Sequence, residues 1–167
     1  EAMSTSFTTA PMQLCGDMLY LWSRNSIEAR ASENGQVVWH HTITELHLHS
    51  IREVRATSKA VIVDGIGGPD QTQRCPDNNW CYLWYGDIVS ALNSSNGEQL
   101  WQHPFTPDTH LEPGKPITYA QEGIAGIAVS EQEVYLNTAF MKKANEIEAL
   151  ALENGKQLWR RQALTDE

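Results

Sequence analysis

Histidine forms the densest cluster of chemically useful side chains in this sequence. His40, His41, His47 and His49 fall within ten residues. If Thr42 to Leu48 continues as a strand, His47 and His49 share one of its faces, because side chains alternate along a strand. Two imidazoles on one face can ligate zinc or copper, but a third ligand such as His41 would have to fold back onto them. The bland reading, histidines exposed on a linker, needs no such fold-back. Asp64, Asp70, Asp77 and Asn78 offer the oxygen ligands that calcium takes, but their spacing fits no calcium loop. Gly65, Gly67, Gly68 and Pro69 among them read as turn residues. The run Gly65-Ile66-Gly67-Gly68 lacks the spacing and the following Lys-Ser/Thr of a phosphate loop, and no Gly-x-Ser-x-Gly elbow is present. The sequence therefore names no catalytic residue and no metal ligand. A site assembled from distant loops would leave no local signature.

The three cysteines are Cys15, Cys75 and Cys81. The last two, in Cys-Pro-Asp-Asn-Asn-Trp-Cys, are spaced to clip the tip of a loop. A bridge between them suits an exported protein, and Cys15 is then left as a buried thiol. The formal charge of −9, from 21 acidic and 12 basic residues, repels phosphate backbones and excludes nucleic acid as an expected partner. No run reaches the ~20 apolar residues of a membrane-spanning helix; the best, Ile124 to Val129, is interrupted by Gly126. No signal peptide is visible at Glu1, and the start reads as cut. Asn93-Ser94-Ser95 is a formal acceptor for N-glycosylation, but it sits where a repeat gives asparagine a structural use.

That repeat organises the chain. Ala29 to Trp39, Ala91 to Trp101 and Ala149 to Trp159 align as Ala, then Asn-Gly (Asn34-Gly35, Asn96-Gly97, Asn154-Gly155), then Trp, with a period of about 60 residues. Asn-Gly predicts a two-residue hairpin turn with both central residues at positive φ. The alternating run before it (Asn25 to Ala29, Gly86 to Ala91) and the apolar run after it become paired strands. Further strands are expected at Asp17 to Trp22, at Ala60 to Val63 with Trp80 to Tyr85, and across Gly126 to Asn137 with a turn near Glu131. The expected fold is all-β: three propeller-type blades of four antiparallel strands, spanning about 11–43, 51–105 and 120–163, in one repeat domain over 1–167. A sandwich or a plain barrel would not explain a recurring motif.

These residues resemble the PQQ-like, or quinoprotein-type, β-propeller repeat, whose pattern runs Ala, an acid at the third place, Thr-Gly, then Trp. Here Ala31, Asn93 and Ala151 replace the acid, and Asn34, Asn96 and Asn154 replace the threonine. The resemblance implies that Trp39, Trp101 and Trp159 lock each blade to its neighbour. Propellers close with about 4–8 blades. Three therefore imply a partial propeller: an excised part of a longer parent chain, a homodimer completing a disc, or an arc capped by its own insertions. Family enzymes hold pyrroloquinoline quinone with adjacent cysteines, a stacking Trp and a calcium ion; adjacent cysteines are absent here, and so is a Cys-x-x-Cys-His haem site.

The expected function is a non-enzymatic scaffold that presents blade loops to a protein or peptide, like the outer-membrane-assembly-lipoprotein type of propeller, working outside the cytoplasm and without a cofactor. The alternative is part of a PQQ-dependent dehydrogenase whose quinone and calcium residues lie outside this chain. Long insertions at Gly65 to Trp80 and Pro104 to Pro116 suit recognition. Trp80, Trp84 and Tyr85 could anchor a partner or could pack the second blade.

Overall fold

The structure is a computed structural model and describes residues 11–67, 86–104, 122–140 and 145–163. Twelve strands build it: β1 Met12–Cys15, β2 Met18–Trp22, β3 Ser26–Ala31, β4 Val37–Thr42, β5 Ser50–Ala56, β6 Ala60–Gly67, β7 Gly86–Asn93, β8 Gln99–Pro104, β9 Glu122–Val129, β10 Glu133–Phe140, β11 Glu146–Ala151 and β12 Gln157–Gln162. They form three antiparallel four-stranded sheets in chain order, β1 to β4, β5 to β8 and β9 to β12. The first strands lie together, with β5 touching both β1 and β9, so each sheet is a blade whose first strand is innermost. Blade two takes its innermost strand from Ser50–Ala56, which the sequence reading had not assigned to a strand. Trp80 to Tyr85, expected there, lie outside the described residues.

The repeat makes hairpins, but the turn differs from the two-residue form expected. Only the glycines of the motif have positive φ: Gly35 at 72°, Gly97 at 74° and Gly155 at 69°. The Gly35 amide donates to the Ala31 carbonyl at 2.8 Å, and the Ala31 amide donates to the Gln36 carbonyl at 2.9 Å, which closes a four-residue loop. The Asn34 side-chain oxygen accepts the Gln36 amide at 2.9 Å. Asn96 and Asn154 do the same for Glu98 and Lys156. Asparagine acts here through its side chain, as in an Asx-turn, and needs no positive φ of its own. Because the acceptor is the carbonyl of residue 31, 93 or 151, the loss of the family's acid at that place leaves the turn intact.

After each turn the register slips by one residue, between Ala29 and Arg30, Ala91 and Leu92, and Ala149 and Leu150. The extra residue is Val38, Leu100 or Leu158, all exposed on the outermost strands. A bulge re-aims the following side chain, and here that side chain is the repeat's tryptophan. It sits opposite the motif's Ala in each blade.

Two cores fill the joints between blades. Tyr20, Trp22, Ile27, Ala29 and Trp39 of blade one meet Ile51, Val54, Val61, Val63 and Leu92 of blade two. Ala60, Ile62, Val89, Ala91 and Trp101 meet Ile124, Ile127, Val134, Leu136 and Leu150 of blade three. Strand β6 thus sends odd residues to one joint and even residues to the other, and so it reads as the near-continuous apolar run Ala-Val-Ile-Val. Strand β12 is exposed throughout.

Thr42 to Leu48 is not the strand expected from sequence. Strand β4 ends at Thr42, and the chain coils: the Leu46 amide donates to the Thr42 carbonyl and that of Leu48 to Ile43. Glu45 caps the coil, accepting the Thr42 amide at 2.7 Å and its hydroxyl at 3.0 Å. This Thr-x-x-Glu pattern is a capping box. Leu46 and Leu48 plug the first joint, while His47 takes φ 55°, so His47 and His49 share no strand face.

Candidate functional site

Strand direction divides the arc into two faces. The tight turns, namely the three Asn-Gly loops, Gly16-Asp17, 57–59 and 130–132, all lie on one face. The opposite face carries the 23–25 turn, the 43–49 link and the paired ends of β6 and β7, where Gly67 lies opposite Gly86. Residues 68–85 begin and end there, as do 105–121 between β8 and β9 and 141–144 between β10 and β11. Every long insertion is therefore rooted on one face. Long connections on a rigid scaffold are where binding residues concentrate.

That same face holds a charged cluster. In β5 the register slips between Ile51 and Glu53, leaving Arg52 as the unpaired residue. Its guanidinium reaches Asp64 on β6 with contacts at 2.9 and 3.1 Å and Asp87 on β7 at 2.8 Å. Asp87 also accepts the Ile124 amide of blade three. Both carboxylates are buried. Burial pushes the Asp64 carboxyl up to about 6, with the hydrogen bonds and charge of Arg52 pulling the other way. A cleft of about 400 Å³ opens over the cluster, lined by Pro11, Trp22, Arg52, Glu53, Arg55, Asp64 and Ile124 from all three blades. A second, of about 570 Å³, adjoins it and shares Pro11, Trp22 and Arg52. Arg24, Arg52 and Arg55 stand against Glu53, Asp64 and Asp87 on this face, with Arg55 paired to Glu53, so the clefts are polar without a net charge.

At the joints, the Trp39 indole N–H donates to the Ser94 carbonyl at 3.0 Å, and the Tyr20 hydroxyl donates to the same oxygen at 3.3 Å. The Trp101 indole donates to the Leu152 carbonyl at 2.7 Å. Each ring lies on the next blade's turn glycine: a Cβ on Gly97 would sit 2.7 Å from Trp39 Cδ2, and one on Gly155 2.7 Å from Trp101 Cδ2. Trp39 and Trp101 are 7% and 8% exposed, Trp159 37%. His41 belongs to the first joint, its Nε2 lying 2.7 Å from the Gly97 carbonyl. A carbonyl can only accept, so Nε2 carries the proton. Asn93, the formal glycosylation acceptor, bonds the Ser95 amide and hydroxyl through its side-chain oxygen.

A scan against protein-family models finds no match, and a sequence comparison with curated proteins finds none. Solved structures do match. BamB from Moraxella catarrhalis superposes with a TM-score of 0.52 at 18% identity, over 88% of this chain and 34% of that one. The quinohemoprotein alcohol dehydrogenase ADHIIG from Pseudomonas putida HK5 gives 0.51 at 15%, over 89% and 19%. The quinohemoprotein alcohol dehydrogenase from Comamonas testosteroni gives 0.54 at 16%, over 89% and 20%. The chain has the quinoprotein-type propeller fold. It spans about a third of BamB and about a fifth of each dehydrogenase.

Whether this part of a propeller could hold a quinone with calcium depends on its donors. Among the described residues, the carboxylates at the inner cleft, Asp64 and Asp87, are committed to Arg52 and to a backbone amide. No group of three or more His, Cys, Asp or Glu among them is placed to hold a metal. Trp22 offers an indole, but no free oxygen ligands converge beside it, so these residues do not fit the pair. Of the calcium candidates named from sequence, Asp64 is an ion-pair partner, while Asp70, Asp77 and Asn78 lie outside the described residues. So do Cys75, Cys81, Trp80, Trp84 and Tyr85. Cys15 is half-buried rather than enclosed, and burial pushes its thiol pKa up. Among the described residues, no helix is long and apolar enough to cross a membrane.

Arg52 was missed from sequence. The available signal was Asp64 itself, one acid in the otherwise apolar strand Ala-Val-Ile-Val-Asp-Gly-Ile-Gly. A buried carboxylate calls for a partner.

Proposed function

We propose that the chain is a non-enzymatic binding scaffold that takes a protein or peptide on the face carrying the insertions and the Arg52 cleft. One observation carries this reading: the roots of every long insertion share a face with the Arg52 clefts, while the opposite face, which has a cleft of about 440 Å³ beside Lys59, Leu100, Glu131 and Leu152, carries only short, internally bonded turns. The partner would be an extended segment whose polar groups hydrogen-bond at the rim of the Arg52 cleft. The acidic chain disfavours nucleic acid. A setting outside the cytoplasm, and a bridge between Cys75 and Cys81, belong to the same reading.

Site-specific photocrosslinking tests it. A photoreactive residue at Arg24, exposed on the insertion face, should form adducts with extended polar peptides, whereas one at Asp17, exposed on the turn face, should not. Glu53→Gln should weaken that capture. Adducts on both faces alike would sink the reading. Saturable binding of pyrroloquinoline quinone with calcium, followed by its absorbance, would favour the dehydrogenase alternative instead.

A further inference from the structure

The buried tryptophans differ in what their indole N–H groups do. Those of Trp39 and Trp101 each donate to a carbonyl of the next blade. Trp22 is set as deeply, 9% exposed and part of the first core, yet its N–H meets no acceptor among the described residues. A buried indole N–H usually has a hydrogen-bond partner. Among the described residues, His41 Nδ1 is the one fully enclosed polar side-chain atom without a partner. The Trp22 N–H therefore opens to solvent, and the solvent beside it fills the two clefts that Trp22 lines.

Further donors line the same space. Arg52 spends Nε and Nη2 on Asp64 and Asp87 and keeps Nη1, with its two N–H bonds, unengaged among the described residues. Arg24, exposed on the 23–25 turn, lines the larger cleft. Its backbone carbonyl accepts the Ile51 amide at 2.9 Å, which ties the turn to the residue before Arg52. The acceptors, by contrast, are mostly taken. Asp64 is held by Arg52, and Asp87 by Arg52 and the Ile124 amide. Glu53 pairs with Arg55 through Oε1, which leaves Oε2 to accept one N–H.

We infer that these groups bind the main chain of an extended peptide segment, taking its carbonyl oxygens on Trp22 Nε1 and Arg52 Nη1 and an amide N–H on Glu53. This rests on the insertion face being the binding face and adds which atoms make the contact. A peptide main chain supplies acceptors and donors without charge, as clefts with no net charge require. A carboxylate would satisfy the donors but lie beside Asp64 and Asp87, and a cation would meet Arg24 and Arg52 without an unspent buried acid to receive it. Leaving the Trp22 N–H and the Arg52 Nη1 hydrogens without acceptors once water is excluded costs free energy, so a segment lacking carbonyls in reach is rejected. Trp22, Arg52 and Glu53 all belong to the joint between blades one and two, so the contact is complete within that joint.

NMR of the nitrogen-labelled full chain tests this. Its six tryptophans give separate indole signals, and Trp22→Phe assigns the one that matters. The probe is a pool of acetylated, amidated heptapeptides built from serine, threonine, glutamine and valine. The Trp22 indole signal should move downfield and saturate, while those of Trp39 and Trp101 stay in place. Trp22→Phe should weaken binding about tenfold, the loss of one hydrogen bond. Affinity should be the same at low and high salt, as a neutral ligand requires. A Trp22 signal that stays still at millimolar probe, read in the parent chain, would overturn the inference, and so would equal affinity in Trp22→Phe. Binding about tenfold tighter for the same pool with free C-terminal carboxylates would assign the donors to an anion instead. If photo-adducts form at Arg24 while the Trp22 signal does not move, the binding face stands and this contact falls.

Discussion

Asp64 and Arg52 show how much a single charge can matter on the insertion face. The Asp64 carboxyl is raised from 3.8 to about 6, so the folded chain binds its proton more tightly than the unfolded chain does. Stability from this group is greatest at low pH and falls as pH rises through about 4 to 6. Asp64→Asn should flatten the pH dependence of the melting temperature in that window. Arg52→Met leaves two buried carboxylates facing each other and should cost about 3 kcal/mol at pH 8. It should cost less at pH 5, where one carboxyl takes a proton; a loss that is equal at both pH values would show that the pair is not coupled. The cysteines provide a second residue-scale test. Alkylation in denaturant should modify Cys15 alone without reductant, and all three cysteines after reduction. Three modified thiols without reductant would exclude the bridge. The repeat was legible because its signal is local: Ala, Asn-Gly and Trp lie within eleven residues. Arg52 was not, because its partners are set by a bulge in β5 and a pairing across two strands, neither of which has a local pattern.

Between elements, the joint depends on backbone conformation and on an indole at the same point, and substitutions separate the two. Gly35→Ala and Gly97→Ala both place a side chain at positive φ, which costs about 1–2 kcal/mol. Only at Gly97 does the new Cβ meet Trp39, so Gly97→Ala should lose a further 1–3 kcal/mol or so from overpacking. Equal melting temperatures for the two variants, measured on the monomer, would mean that the Trp39 contact is slack. Trp101→Ala should cost about 3–5 kcal/mol, and Trp159→Ala about 1 kcal/mol or less in the monomer, although the motif is the same. Sequence identity at three positions could not reveal this difference, which comes from a described blade packed over Trp101 and none among the described residues over Trp159. The turn type was misread for a related reason: Asn-Gly signals a two-residue hairpin most strongly, but here the Asx bond to Gln36 and the bulge at Val38 favour the longer loop.

At the scale of the whole molecule, blade two is a member of both cores, and blades one and three each belong to one. Stability in such an array is a sum of blade terms and nearest-neighbour terms, so an end blade can open while the other joint stays closed, but blade two cannot open without breaking both. Hydrogen exchange should therefore be slowest in β6 and β7 and fastest in β1 and β12. Trp39→Ala sharpens the test, because it removes one of the two tryptophans of the first joint together with the indole bond to Ser94. Protection should fall across β1 to β4 and stay close to that of the parent in β9 to β12. The plug formed by Leu46 and Leu48 should loosen together with blade one, since both residues pack into the first core. An even loss of protection across all twelve strands would show instead that the arc unfolds as one unit. The two joints would then be coupled through β6, whose alternate side chains serve both.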